Sequence, residues 1–251
     1  MREILLLTAT AFEQGQLVER LQEAVRLEVA GRQWFCGRLG DWGVRLVETG
    51  MGAVNTAHAL TCALQDYRPD WVLQVGVGGA YIGSGLEVGD VAVASEEVYG
   101  DVGVRLRQGW KGSEEIGIPL LQKEGESFFN RFSLDGEAVE KVKALLANGD
   151  WQGATPAVRS GPFVTVQECS GAEEVGRERE QLFGAICENM EGAAAAHLCR
   201  LYGVDFIEVR AISNRVEDRD KEKWDLSGAA WRGQEAALIL LDREGWGPGL
   251  P

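Results

Sequence analysis

Apolar positions along the chain fall into short runs that alternate with longer amphipathic stretches. Residues 4–7 form the first run and predict a buried strand, closed by Thr8-Ala9-Thr10. Leu17, Leu21 and Val25 follow at a spacing of four and predict a helix, with Glu13 near its first turn, where the helix dipole favours a carboxylate. Residues 33–39 and 44–48 predict two strands joined by the turn Gly40-Asp41-Trp42-Gly43. The second strand runs into Thr49-Gly50-Met51-Gly52, and a helix is expected over 53–66. Residues 71–77 predict another buried strand, which leads into Gly76-Val77-Gly78-Gly79. Residues 89–94 give the next strand, and its tail over 96–101 reads as a loop leaving the sheet.

Beyond residue 105 the pattern weakens. Glycines, charges and scattered aromatics over 105–133 read as an excursion, a lid or an oligomer contact. Order returns with an amphipathic helix over 134–148, a strand over 161–166, a loop over 167–171, a charged helix over 172–182 and a short strand over 185–187. An Ala-rich helix over 190–202, a strand over 205–211, a charged loop over 215–223 and a last helix from 224 to 241 complete the pattern. The glycine-rich tail over 245–251 is expected to fray. Strands alternating with helices predict an α/β fold: a single three-layer domain over residues 1–251, with a central mixed, twisted sheet flanked by helices. The hairpin over 33–48 makes the sheet mixed rather than parallel.

The stretch 188–215 brings chemistry to one place. A helix over 190–202 is about 18–20 Å long, and a strand over 205–211 about 23 Å. If Gly203 turns the strand back along the helix, Glu191 and Asn214 meet at one end of the sheet. Open α/β sheets bind small molecules at the carboxyl ends of their strands.

Composition narrows the partners. The net charge of −14 opposes nucleic acid and anionic membrane surfaces. The 45% apolar and 25% charged content of 251 residues is that of a soluble, cytoplasmic protein. No apolar run reaches the roughly 18 residues of a membrane helix, and the first run is too short for a signal peptide. Five cysteines, none in C-x-x-C spacing, signal neither a disulfide frame nor a zinc site. No metal and no cofactor are expected. The glycine turns match neither a P-loop nor a dinucleotide fingerprint.

Met190-Glu191-Gly192-Ala193-Ala194-Ala195 and Val209-Arg210-Ala211-Ile212-Ser213 resemble the nucleoside phosphorylase/nucleosidase superfamily, most of all its methylthioadenosine/S-adenosylhomocysteine nucleosidase branch. Thr49-Gly50-Met51-Gly52, the 76–79 turn and Leu86-Glu87-Val88-Gly89-Asp90 fit the same pattern in the same order. The segments 213–220 and 161–166 are similar to branch members that release hypoxanthine. The resemblance implies a nucleoside phosphorylase-like fold, a purine nucleoside as small-molecule partner, hydrolysis of an N-glycosidic bond, and a homo-oligomer.

Carried over by position, the resemblance makes Glu13 the carboxylate that activates water and Glu191 the one that binds the ribose hydroxyls. It also places Met190, Gly78, Gly79 and Ser170 on the substrate. Asn214 stands where adenine-cleaving relatives have an aspartate that protonates N7. An amide offers an acceptor beside a donor, which matches N7–H and O6 of a protonated 6-oxopurine. Cys169 and Ser170 replace a Phe-Ile pair of those relatives. Gln74 stands where phosphorylases carry a phosphate-binding Arg, and Glu13 opposes an anion, so water is the expected nucleophile. Arg215 and Arg219 are candidates for an anionic group at the 5′ end of the substrate, and Arg107 is an alternative. The remaining readings are an adenine-releasing nucleosidase, a phosphorylase, and a nucleoside sensor without catalysis. His58 and His197 have no triad partner, and His197 reads as structural.

Overall fold

The computed structural model describes residues 2–242. The tail over 245–251 lies outside the described residues. The strands and helices run in this order: β1 Arg2–Thr8, α1 Gly15–Arg20, β2 Gln22–Val29, β3 Arg32–Leu39, β4 Trp42–Glu48, α2 Ala53–Asp66, β5 Trp71–Ala80 and β6 Val91–Tyr99. Next come β7 Gly103–Leu106, β8 Gly109–Gly112, β9 Leu121–Lys123, β10 Glu126–Phe128, β11 Arg131–Ser133 and α3 Gly136–Ala147. The chain continues with β12 Val158–Thr165, α4 Glu173–Phe183, β13 Cys187–Asn189, α5 Gly192–Tyr202, β14 Asp205–Arg215 and α6 Leu226–Asp242.

One mixed sheet of ten strands carries the fold, in the order β11-β6-β12-β13-β5-β1-β4-β3-β2, with β14 paired to both β5 and β6. Strand β1 shows why helices cover both faces. Ile4, Leu5, Leu6 and Leu7 are all fully buried. Successive side chains point to opposite faces, so Ile4 and Leu6 enter one apolar cluster with Ala236 and Leu240 of α6. Leu5 and Leu7 enter another with Leu60 of α2 and Ala195 of α5. A Leu→Ala change at such a site costs about 2–5 kcal/mol.

On one edge of β5, β1 pairs with Leu73 and Gln74, and β13 pairs further on with Gly79 and Ala80. Strand β14 runs along its whole other edge. Because β14 pairs β6, β6 pairs β12, and β12 pairs β13, five strands close a ring around the end of β5. Helix α5 starts on this ring. The backbone N–H groups of Glu191 and Gly192 donate to Asn189 Oδ1 at 2.9 and 2.8 Å, which satisfies two of the donors a helix start leaves open. Gly203 ends it in the left-handed region at φ 69°.

Three local expectations need correction. The first helix stops at Arg20, and residues 22–29 form an exposed edge strand against β3. Val25, Leu27 and Val29 alternate with Arg26 and Glu28, and this period of two outweighs the single four-residue match to Leu21. The segment 96–101 is strand through Tyr99 rather than a departing loop, since its acidic Glu97 is wholly buried. The stretch 105–133 folds into short hairpins, β7–β8 and β9–β10, before β11 returns to pair with β6. Among the described residues, no helix is long and apolar enough to cross a membrane.

Candidate active site

A cavity of about 450 Å³ opens where the carboxyl ends of β5 and β14 meet the start of α5. Glu13, Val77, Gly78, Gly79, Ser170, Glu188, Met190, Glu191, Arg210 and Asn214 line it. Two carboxylates are held on it by backbone donors. A short 3₁₀ turn, Ala11–Glu13, follows β1 and folds Glu13 back. Its Oε2 accepts from the backbone N–H and hydroxyl of Thr10 at 3.0 and 2.9 Å, and its Oε1 from the Val77 N–H at 3.0 Å. Glu191 Oε1 accepts from the Gly52 N–H at 3.0 Å, and its Oε2 from Arg210 Nη2 at 3.1 Å. Both residues are 3% exposed, and buried polar groups of this kind need such donors.

Arg210 organises the centre. Its Nε donates to Glu208 Oε1 at 2.7 Å and its Nη1 to the Val77 carbonyl at 3.1 Å. Burial alone would drive off its proton, but Glu208, Glu191 and Glu13 together hold the guanidinium more firmly charged than usual. Behind it sits Glu97. Burial, then the charge and hydrogen bond of Glu208, push its carboxyl well above the ordinary range. Its surroundings favour the neutral form, and it accepts from Thr165 Oγ1 and Asn189 Nδ2, each at 2.7 Å.

Asn214 reaches the cavity through an irregularity. Strand β14 keeps register with β5 up to Ile212 opposite Gly78, and then Asn214 stands opposite Gly79. Ser213 is the extra residue of a β-bulge, a device that re-aims side chains. In unbroken register Asn214 would stand opposite Ala80 and point to the other face. Ser213 Oγ donates to Asn214 Oδ1 at 2.8 Å, and Asn214 Nδ2 donates to the Arg215 carbonyl at 3.0 Å. One acceptor site and one N–H of the amide stay open.

The residues named from the sequence come together with two exceptions, Arg215 and Arg107. Glu13, Gly78, Gly79, Ser170, Met190, Glu191 and Asn214 share the cavity, and Cys169 joins them. Arg215 does not line it. Its guanidinium lies 3.5 Å from Glu87, on the outside of the strand end. Arg219 does line the cavity, 4.6 Å above the Trp224 ring. Arg107 sits in the exposed turn between β7 and β8. His197 stacks on Phe132 at 4.7 Å and lies 3.3 Å from the Tyr99 hydroxyl, away from the cavity.

Sequence reasoning passed over Arg210, Glu188 and Glu97. A signal existed for the first, since Glu208 and Arg210 alternate inside an apolar run. Charges at such positions must be paired to be buried.

The fold and this cavity define a class: a mixed α/β nucleoside phosphorylase fold with a carboxylate-lined site at the strand ends. The chain belongs to the phosphorylase superfamily, whose family model matches residues 3–242. Its relatives are N-glycosidic nucleosidases. A futalosine hydrolase from Thermus thermophilus is 34% identical over 207 residues, 81% of this chain and 83% of its own length. A 5′-methylthioadenosine/S-adenosylhomocysteine nucleosidase from Geobacillus thermodenitrificans is 28% identical over 228 residues, 90% of each chain. The solved nucleosidase of Neisseria meningitidis, in complex with methylthio-immucillin-A, superposes with a TM-score of 0.81 at 24% identity, covering 97% of this chain and all of its own.

Proposed function

We propose that this chain hydrolyses the N-glycosidic bond of a 6-oxopurine nucleoside. The substrate that fits best is futalosine, giving hypoxanthine and dehypoxanthine futalosine on a route to menaquinone. The observation that carries this reading is Asn214. The open acceptor and open N–H of its amide match N7–H and O6 of hypoxanthine protonated at N7. An amide has no proton to give, so the N7 proton comes from solvent.

The remaining roles follow from charge. As the glycosidic bond breaks, the sugar becomes oxocarbenium-like and the purine takes up negative charge. Glu13 takes a proton from the attacking water and stabilises the cation. Glu191, fixed by Gly52 and Arg210, accepts hydrogen bonds from the ribose hydroxyls and orients the sugar. Gln74 is fully buried in the sheet, in register with Glu208 of the neighbouring strand, and not on the cavity wall. Three carboxylates on the cavity, Glu13, Glu188 and Glu191, favour water over phosphate as the nucleophile. Arg219 is the cation on the cavity wall that suits the anionic benzoate of futalosine. Phe12 and Met51 are exposed at the rim, and they suit a second subunit that completes the site in a homo-oligomer.

The test is a panel of futalosine, aminofutalosine, inosine and methylthioadenosine, with and without phosphate, measuring free base. Release of hypoxanthine from futalosine without phosphate is expected. Asn214→Asp is expected to move preference toward the 6-amino substrates. Preference for methylthioadenosine in the unaltered enzyme, formation of ribose 1-phosphate, or binding without base release would each replace this reading with another.

A further inference from the structure

Glu188 is a buried carboxylate on the cavity wall to which the roles above assign nothing. Its placement follows from sheet register. Glu188 of β13 and Asn214 of β14 stand on opposite sides of β5, and both pair with Gly79. Residues in register project from the same face, so the two side chains flank Gly79 about two strand spacings, roughly 9.5 Å, apart. Between them stands a residue without a side chain. A Cβ at Gly79 would come within 2.9 Å of Val216 Cγ2 and 3.2 Å of Asn214 Nδ2. The glycine therefore lets Val216 and the Asn214 amide close in over the strand, with the amide and the carboxylate on strands to either side of it.

The hydrogen bonds of Glu188 are unevenly shared. Its Oε2 accepts from Ser170 Oγ at 2.6 Å, Tyr81 Oη at 3.0 Å and Arg179 Nη1 at 3.2 Å. Its Oε1 accepts only from the Ser170 N–H, at 2.8 Å. A carboxylate oxygen takes about two donors, so Oε2 is filled and Oε1 has room for one more. Arg179 keeps an ion pair with the group, 12% exposed on its side and 8% on the carboxylate's. A buried carboxylate with one vacant acceptor, aimed into a cavity, asks for a donor from the ligand.

Resting on the reading that the leaving group is a 6-oxopurine, we infer that Glu188 is its second base-reading residue and accepts the N1–H. Asn214 then serves the N7–O6 edge, and Glu188 serves the N1 edge beyond it. A 6-aminopurine presents a lone pair at N1, which a carboxylate repels. Ser170, Tyr81 and Arg179 act through Glu188, by fixing its orientation and charge.

The experiment compares inosine-type nucleosides with and without a methyl on N1, and adenosine-type nucleosides, on the unaltered protein and on Glu188→Gln. For the unaltered protein, N1-methylation is expected to lower kcat/KM on the order of 10²-fold or more. In Glu188→Gln the ratio of kcat/KM for 6-oxo over 6-amino substrate is expected to fall by about 10-fold or more, because the amide can donate to N1. Binding of free hypoxanthine, 1-methylhypoxanthine and adenine, measured calorimetrically, is expected to follow the same order. Equal turnover of N1–H and N1-methyl substrates by the unaltered protein overturns the role of Glu188 and leaves the 6-oxopurine reading standing. An equal loss on both bases in the variant makes Glu188 a structural prop and likewise overturns it. Failure of the unaltered protein to release any 6-oxopurine overturns the underlying reading, and the inference with it.

Discussion

Arg210→Met tests the electrostatic centre of the site. The substitution keeps most of the apolar stem and removes the guanidinium that stands 2.7 Å from Glu208 and 3.1 Å from Glu191. Both carboxylates are then buried without a cation. Breaking a buried pair in this way costs about 3–5 kcal/mol. In a chain of this size each kcal/mol moves Tm by about 2–4 °C, so the variant is expected to melt about 6–20 °C lower at pH 7. The pH dependence gives the mechanism. Without Arg210 the negative charge buried at this centre has no counter-charge, which burial disfavours, and acid lessens that penalty by neutralising carboxylates. The gap to the unaltered protein is therefore expected to narrow on going from pH 8 to about pH 5 in a calorimetric or circular dichroism melt. A variant that melts within about 2 °C of the parent at pH 7, or whose deficit is the same at pH 5 and pH 8, refutes the reasoning.

Three further outcomes are expected. Glu13→Gln keeps the size and acceptor oxygen of the side chain but loses the base, so kcat is expected to fall by about 10²–10⁴-fold with KM little changed; a kcat near parental would remove Glu13 from the chemistry. Burial and Glu208 raise the Glu97 carboxyl in the fold, so its contribution is present below the unfolded pKa and wanes as pH rises toward the folded one. Glu97→Gln, which cannot ionise, is expected to gain Tm relative to the parent between about pH 5 and pH 8, and parallel Tm curves would show that Glu97 is not protonated. Arg219→Ala is expected to raise KM for futalosine by about 10-fold while leaving inosine unaffected, and an equal effect on the two would assign Arg219 to the loop rather than to the benzoate.

Much of the fold could be read from residue pattern, and the reason is visible in β1, β5 and β14. Strands buried on both faces need continuous apolar runs, and such runs stand out against the amphipathic helices between them. The reading failed where pattern and burial part company. Strand β2 is exposed on nearly every residue, so the alternation of Val25, Leu27 and Val29 marks no buried face and was outweighed by the spacing of Leu17 and Leu21. Glu97 is an acidic residue in sequence but wholly buried in the fold, so its segment resembled a surface loop. At the site, Glu13, Glu191 and Asn214 could be placed because each sits at the end of a legible element. Glu188 could not, because its meaning depends on β13 lying antiparallel beside β5, and three residues of strand do not announce their partner. Arg215 was named by nearness in sequence to Asn214. Consecutive strand residues point to opposite sides, which sends its guanidinium outward to Glu87.

The bulge at Ser213 has a bearing on how such an enzyme changes its substrate over generations. An amide is directional: used the wrong way round, it would present its N–H to N7 and its oxygen to O6. By spending one extra residue, the strand seats a hydroxyl beside Asn214 that donates to its oxygen and so fixes which end is which. The same hydroxyl can donate equally well to a carboxylate. An exchange of Asn for Asp at 214 therefore enters a seat already fitted for it, while the buried residues from Phe206 to Ile212 stay committed to the core. If Asn214 reads the base as proposed, preference for one base or the other becomes a trait that a single codon can move in either direction, without the lineage passing through an unfolded intermediate.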